Sequence, residues 1–193
     1  MLGSSLPTIL RLDASGQPVA WINWQEAVCL YVKNLVAWEI GESIFTIMGG
    51  RSRLTGSRSA VEINSIIAVK GRDKYRNRHR SVPHLTNREL FRRDRNLCLY
   101  CGQSFRDREL TRDHVTPKSR GGPDQWRNVV TACRRCNVKK GNRSPEEANM
   151  PLLAVPFVPN PAEYLALSNR RILADQMDFL KKQFHHEQLM DLR

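Results

Sequence analysis

The chain has 193 residues, of which 40% are hydrophobic and 26% are charged, and its formal net charge is +12. This length suits one medium domain or two small ones. No segment is predicted to span a membrane, because the best apolar run, residues 27–38, is too short and contains Lys33. The first ten residues lack the basic start of a secretory signal, so we expect a cytoplasmic protein.

The N-terminal part is predicted to contain short strands and one helix. The stretch "ILRLDASGQPVAWI" predicts two strands around a Ser-Gly turn, and "NWQEAVCLYVKN" predicts a helix that Asn23 and Glu26 cap together. Cys29 on this helix is interpreted as a small core residue rather than a nucleophile. "LVAWEI" and "AVEINSIIAV" predict further strands, separated by a flexible basic insertion, "GGRSRLTGSRS". We therefore predict a small α+β module of unknown role at residues 1–70.

A concentration of positive charge follows this module. Residues 51–95 hold thirteen Lys or Arg and four Asp or Glu, so +9 of the net charge lies there. Such a cluster predicts a polyanionic partner, nucleic acid first, with a solvated basic segment as the alternative. No apolar helical face accompanies the charges, which argues against a membrane surface. In the basic linker predicted at residues 71–85 and just before it, the candidate phosphate contacts are Lys70, Arg72, Lys74, Arg76, Arg78 and Arg80.

The C-terminal part divides at a Pro-rich segment. "TNREL" predicts a short helix that opens a domain at residues 86–150, and the prolines of residues 151–160 predict an extended linker. Residues 161–193 predict one C-terminal helix with Asn160 as its N-cap and Pro161 at its first position. An apolar stripe on this helix predicts packing on the protein's own core, with a homo-oligomer or a protein partner as the alternative. The stripe consists of Leu165, Ile172, Leu173, Met177, Leu180 and Phe184.

Four cysteines form two pairs, Cys98-x-x-Cys101 and Cys133-x-x-Cys136. In a reducing cytosol these predict metal ligands rather than disulfides. Two such pairs complete a tetrahedral sulfur site for zinc, with an iron–sulfur cluster as the minor alternative. A site with four protein ligands has no open position for water, so the predicted zinc is structural. The intervening 31 residues must form a structure of their own.

Between the two pairs, "LTRDHV" predicts a strand that ends in an Asp-His pair, and "KSRGGPDQW" predicts a loop. "NVVTAC" predicts a second strand, and "RRCNVKKGN" predicts a short helix that ends near Gly141.

Together with the cysteines, these motifs resemble the zinc-containing HNH endonucleases, which have the ββα-metal nuclease fold. The resemblance covers about a third of the chain, from about residue 88 to about residue 148, and Asn137 stands where the name-giving pattern has His. The layout of residues 1–85 also resembles, far less specifically, uncharacterised bacterial proteins that end in this module. We thus expect an α+β protein: a small α+β module, a zinc-stapled ββα-metal nuclease module and a C-terminal helix.

Phosphodiester hydrolysis requires a base that takes a proton from water and a cation that neutralises the developing negative charge. His114 is the predicted base, since an unperturbed imidazole, with a pKa of about 6.5, is largely neutral at physiological pH. Asp113 and Asn137 offer hard oxygen ligands for one Mg²⁺ or Mn²⁺. Adjacent strand residues point to opposite faces, so Asp113 and His114 share a site only if the strand ends or twists there.

The family resemblance implies further roles. Asn128 matches the middle residue of the motif, which braces the loop and orients the histidine. Arg120, Lys139 and Lys140 are either phosphate contacts or solvated surface charges. The predicted function is a metal-dependent DNA endonuclease, with RNA as the alternative substrate, that leaves 5′-phosphate and 3′-hydroxyl ends. The alternatives are a non-catalytic zinc protein that binds nucleic acid, and a nuclease subunit of a restriction, phage or mobile-element assembly.

Overall fold

The computed structural model describes residues 6–71 and 82–192. The chain forms two compact units, one from Met1–Ser81 with Pro161–Arg193 and the other from Val82–Asn160. We call them the N-terminal unit and the central unit. Both combine strands and helices, so the predicted α+β class is confirmed. In the described residues, no helix has the length and apolar character needed to cross a bilayer.

In its described residues, the N-terminal unit contains a four-stranded sheet, three α-helices and a short 3-10 helix, Glu187–Leu189. Its strands are β1 (Ile9–Asp13), β2 (Pro18–Ile22), β3 (Val36–Arg51) and β4 (Arg58–Val69), and they lie in the order β2-β1-β4-β3. β1 and β4 run parallel, and the other neighbours are antiparallel. Helix α1 (Trp24–Val32) has Asn23 as its N-cap, whose side chain accepts from the Glu26 backbone N–H at 2.8 Å. The predicted capping box is therefore confirmed.

Two expectations for this unit were wrong. Cys29 is exposed, because Ala27 is the position at which α1 is buried in the core with Ile9 and Ile67. The predicted flexible insertion instead belongs to a hairpin, since β3 and β4 pair antiparallel as far as Arg51 opposite Arg58.

The C-terminal tail forms two helices rather than the predicted single one, α4 (Pro161–Ser168) and α5 (Ala174–Lys181). Both pack on the N-terminal sheet: Trp21 Nε1 donates to the Leu165 carbonyl at 2.9 Å. The buried Gln176 amide donates to the carbonyls of Thr8 and Ser65, each at 2.8 Å. The predicted packing of the C-terminal tail on the protein's own core is confirmed. The chain turns between α4 and α5, so both helices pack their apolar side chains against the sheet.

The central unit contains helix α2 (Asn87–Arg93), an antiparallel hairpin of β5 (Leu110–His114) and β6 (Val129–Cys133), and helix α3 (Arg134–Lys140). The fully buried Arg93 holds it together by donating to the carbonyls of Trp126 at 2.9 Å and Val129 at 2.8 Å. Arg93 also donates to the Phe157 carbonyl at 3.0 Å. The Pro-rich segment therefore packs into this unit instead of spacing two domains apart.

Candidate active site and zinc site

Four cysteine sulfurs converge at one end of the β5–β6 hairpin. Cys98 and Cys101 lie in the loop after α2, Cys133 ends β6, and Cys136 lies in α3. All four Sγ atoms lie within 4.8 Å of one another. Tetrahedral zinc with Zn–S bonds of about 2.3 Å places its sulfurs roughly 3.8 Å apart. The set therefore fits one metal ion such as zinc.

The first cysteine pair is fixed in place by main-chain contacts. Gly102 N donates to the Cys98 carbonyl at 2.8 Å, and Gly102 has a φ of +71°, a conformation that favours glycine. Leu99 N donates to the Thr131 carbonyl on β6 at 2.9 Å. The fold thus brings the two pairs together through the hairpin itself.

The electrostatics of the cluster also favour a cation. Burial raises the pKa of the Cys136 thiol, and the neighbouring Cys133 and Cys98 sulfurs raise it further. Thiolates this close repel one another unless a cation lies between them. A bound divalent ion removes the repulsion and stabilises the deprotonated thiols.

His114 lies at the opposite end of the hairpin, with an acidic partner from the β5–β6 loop. Its Nε2 lies 2.8 Å from Asp124 Oδ1, and its side chain is 14% exposed. Arg112, two residues earlier on the same face of β5, donates to Asp124 Oδ2 at 2.8 Å and to Asn87 Oδ1 at 2.9 Å. These contacts fix the orientation of the imidazole ring.

Asp124 is held as an anion in this arrangement. Burial raises the pKa of Asp124, but hydrogen bonds from Arg112 and His114 outweigh this effect. The charges of Arg112 and Lys118 lower it further, so the pKa lies below its ordinary value. A carboxylate beside Nε2 favours the tautomer that carries its hydrogen on Nε2. Nδ1 is then the ring atom that accepts a proton.

The loop between His114 and Asp124 is closed by glycine and by Asn128. A Cβ on Gly122 would lie 1.8 Å from the Thr116 carbonyl oxygen, so this position requires glycine. Asn128 accepts from Thr116 N at 2.9 Å and donates to the Pro123 carbonyl at 2.9 Å. Asn128 thus ties the two sides of the loop together, next to Asp124.

Asp113 lies on the other face of β5. Its carboxylate accepts from the Tyr100 hydroxyl at 2.5 Å and from Lys140 Nζ at 3.2 Å, and Lys140 also donates to the His114 carbonyl at 2.8 Å. The side chains of Asp113 and Lys140 are 7% and 1% exposed. Because β5 continues through His114, neighbouring side chains alternate between faces. The Asp113 and His114 side chains therefore have different hydrogen-bond partners, Tyr100 and Lys140 for Asp113 and Asp124 for His114.

Asn137 approaches β5 from α3 on the face that carries Asp113. Its amide nitrogen donates to Thr111 Oγ1 at 2.9 Å, and Thr111 precedes Asp113 by two residues. Its amide oxygen accepts no hydrogen bond among the described residues. A carboxylate and an amide oxygen suit Mg²⁺ or Mn²⁺. The Lys140 ammonium, which is buried beside Asp113, neutralises this carboxylate in the structure.

Residues 98–153 match the family model of the HNH endonucleases. This segment is similar to the HNH endonucleases. It includes both cysteine pairs, the β5–β6 hairpin and α3. No curated protein matches the chain significantly. The similarity therefore covers residues 98–153 of the central unit, which we call the HNH segment, and it suggests nuclease activity on a nucleic-acid substrate.

The predicted cations of the HNH segment lie in different environments. Arg120 forms an ion pair with Glu147 at 2.7 Å, and Lys139 is exposed. Lys140 is neither an accessible phosphate contact nor a solvated charge, because its ammonium is buried against Asp113. Before the HNH segment, Lys70 is exposed and donates to the Asn34 carbonyl at 3.2 Å. The remaining candidates, Arg72, Lys74, Arg76, Arg78 and Arg80, lie outside the described residues.

Sequence reasoning missed Asp124, Arg112 and Lys118. The one available clue was an acidic residue in an otherwise basic loop, two positions after the Gly-Gly pair. Its contact with His114 depends on how the loop folds back, which residue spacing alone does not give.

A cavity of about 920 Å³ lies beside the cysteine cluster of the HNH segment rather than at His114. Four cations contribute to its lining: Arg108, Arg134, Arg135 and Lys139. One acidic residue, Glu109, lines it as well. Cys101, Cys133 and Cys136 also line it, so the cavity adjoins the cysteine cluster that could hold a metal ion.

Proposed function

We propose that the protein is a DNA endonuclease in which His114 is the general base. The observation that carries this proposal is the hydrogen bond between His114 Nε2 and Asp124 Oδ1, at 2.8 Å. A base that is oriented by a third group is the usual arrangement in enzymes that activate a nucleophile. The HNH family match of residues 98–153 supports the same chemistry.

In the proposed reaction, Nδ1 of His114 takes a proton from a water molecule whose oxygen attacks phosphorus in line. The bond between phosphorus and the 3′ oxygen breaks, leaving a 5′-phosphate and a 3′-hydroxyl. Asp124 and Arg112 hold the ring, and Asn128 holds the loop that carries Asp124. The exposed Lys118 lies close enough to lower the pKa of Asp124, and it supplies positive charge for the phosphate on this face.

Two metals have separate proposed roles. Zinc on Cys98, Cys101, Cys133 and Cys136 is structural, since four protein ligands leave no place for water. Asp113 and Asn137 would hold one Mg²⁺ or Mn²⁺, which supplies Lewis-acid neutralisation of the developing negative charge.

The test is cleavage of supercoiled plasmid by zinc-loaded protein with Mg²⁺, with Mn²⁺ or without added divalent ion. The wild type should convert plasmid to nicked or linear DNA when Mg²⁺ or Mn²⁺ is present. His114→Ala should lower the rate by about 10²- to 10⁴-fold, because the proton acceptor is lost. Its zinc content should stay unchanged, because His114 is not among the four sulfur ligands.

His185→Ala is the matched control, since His185 is an exposed histidine in the N-terminal unit. It should cut at the wild-type rate. If the wild type leaves the plasmid intact with Mg²⁺ and with Mn²⁺, the result favours the alternative function, a non-catalytic protein that binds nucleic acid. Loss of zinc in His114→Ala would contradict the separation of the structural from the catalytic metal.

A further inference from the structure

The β3–β4 hairpin extends beyond the rest of the N-terminal sheet. β1 pairs with β4 only over residues 66–69, whereas β3 pairs with β4 as far as Arg51 opposite Arg58. Every residue from 48 to 60 is exposed. We call residues 48–60 the ribbon tip. A two-stranded ribbon that is exposed on both faces buries little apolar surface of its own, so packing within the unit does not explain it.

The ribbon tip carries only positive charge. It contains Arg51, Arg53 and Arg58 and no Asp or Glu. Arg51 and Arg58 lie directly opposite each other across the two strands, and like charges in this position repel. Within the described chain, none of the three arginines forms an ion pair. An anion bound between them would relieve this repulsion.

The turn of the ribbon tip is ordered by its own hydrogen bonds. Ser52 N donates to the Ser57 carbonyl at 2.8 Å, and Gly56 N donates to the Ser52 carbonyl at 2.9 Å. Gly56 has a φ of +68°, which suits glycine. Leu54 projects from this turn with 98% of its surface exposed. The tip therefore presents three cations and one apolar side chain on a turn with defined contacts.

We propose that the ribbon tip binds duplex DNA in the major groove. This inference rests on the proposed endonuclease function, because it assigns a second surface for the same substrate. Two paired strands with their side chains fit a B-DNA major groove, which is about 12 Å wide, whereas the minor groove, at about 6 Å, is too narrow. The major groove of A-form RNA is also too narrow for side chains to read. The shape of the tip thus favours DNA over double-stranded RNA.

The arginines and Leu54 have distinct expected contributions. Each arginine that contacts a phosphate releases a counterion and steepens the salt dependence of binding by about 0.9 in logarithmic slope. Leu54 would contact base edges such as the thymine methyl group, which is an apolar contact without salt dependence.

The experiment measures binding of the full-length, zinc-loaded His114→Ala protein, which should not cut its ligand. Fluorescence anisotropy follows a labelled DNA duplex and a double-stranded RNA of the same sequence between about 50 and 200 mM salt. The test variant combines Arg51→Gln, Arg53→Gln and Arg58→Gln. Its Kd for DNA should rise at least about tenfold, and its salt slope should fall by about 2 to 3. Its Kd for the RNA duplex should stay within about twofold.

Two further variants separate the contributions. Leu54→Ser should weaken DNA binding while leaving the salt slope unchanged. The matched control combines Lys33→Gln, Lys181→Gln and Lys182→Gln, which remove the same charge from elsewhere in the N-terminal unit. This control should bind DNA like the parent protein, and thermal unfolding checks that every variant is folded.

The proposal is overturned if the arginine variant binds DNA like the parent protein, or if its affinity for both duplexes falls equally. A control variant that loses as much affinity would also overturn it, because bulk charge would then be sufficient. If the arginine variant binds DNA normally but self-associates, the arginines instead prevent the exposed edge strand β3 from pairing with another chain. If the wild type binds DNA through the tip but never cuts, the endonuclease proposal fails and this one stands.

Discussion

At the scale of single residues, the proposed site consists of one histidine and the groups that orient it. His114 contacts Asp124, and Arg112 contacts the other oxygen of the same carboxylate. On the opposite face of β5, Asp113 contacts Tyr100 and Lys140. The two side chains therefore have different partners, and Lys140 links the two residues because it contacts both the Asp113 carboxylate and the His114 carbonyl.

Asp124→Asn tests the orienting contact. It should lower kcat for plasmid cleavage by about 100-fold with little change in KM, because misplacing a catalytic group by about 1 Å costs this much. Glu146→Gln, which changes an exposed carboxylate outside the β5–β6 loop, should leave the rate unchanged. An Asp124→Asn enzyme with wild-type kcat would show that the contact plays no part in catalysis.

The pH dependence of the Asp124 contact has a defined sign. Because its folded-state pKa lies below the ordinary value of 3.8, Asp124 contributes stability that is fully present above about pH 4. This contribution is lost as the pH falls through the folded-state pKa. Thermal unfolding of wild type and Asp124→Asn should thus differ at pH 7 and converge in strong acid. A difference that grew on acidification would contradict this sign.

At the scale of secondary-structure elements, the β5–β6 hairpin connects the cysteine cluster at one end to His114 at the other. Leu110 pairs with Cys133 at the cysteine end, and His114 pairs with Val129 at the other end. Four strand steps of about 3.3 Å separate these ends by roughly 13 Å. A metal ion bound by the four cysteines would therefore fix the hairpin and α3 at the end away from His114.

Cys133→Ser should lose zinc and unfold the central unit. Structural zinc contributes about 10–16 kcal/mol in small metal domains, which is comparable to or larger than the whole stability of most domains. Cys29→Ser is the matched control, because Cys29 is exposed and lies outside the cluster. Metal analysis and circular dichroism check both variants. A Cys133→Ser protein that keeps one zinc per chain and its thermal midpoint would contradict the structural assignment.

At the scale of the whole molecule, the two ends of the chain build one unit. The tail helices α4 and α5 cover the sheet formed by residues before 70, with Leu167 and Leu180 fully buried. The HNH segment lies in the chain between these two parts. The N-terminal unit therefore combines residues from before and after the HNH segment.

Truncation after Asn160 should unfold the N-terminal unit. The tail buries four leucines, Leu165, Leu167, Leu180 and Leu189. Each contributes about 1.5–3 kcal/mol, so together they match the typical domain stability of about 5–15 kcal/mol. Leu180→Ala is a milder variant and should cost about 2–5 kcal/mol. The zinc content of each variant shows whether the central unit is still folded. A truncated chain that unfolds thermally like the wild type would show that the N-terminal unit does not need the tail.

The sequence by itself determined the features that depend on local spacing. The cysteine pairs, the strand-loop-strand-helix order and the capping box at Asn23 each follow from residues a few positions apart. Only the tertiary structure decided which side chains meet. Asp124 reaches His114 because the loop folds back, Lys140 is buried because α3 packs on β5, and the tail splits because both helices must cover one sheet. These contacts join residues that are distant along the chain, so they depend on the three-dimensional path of the backbone rather than on periodicity or composition.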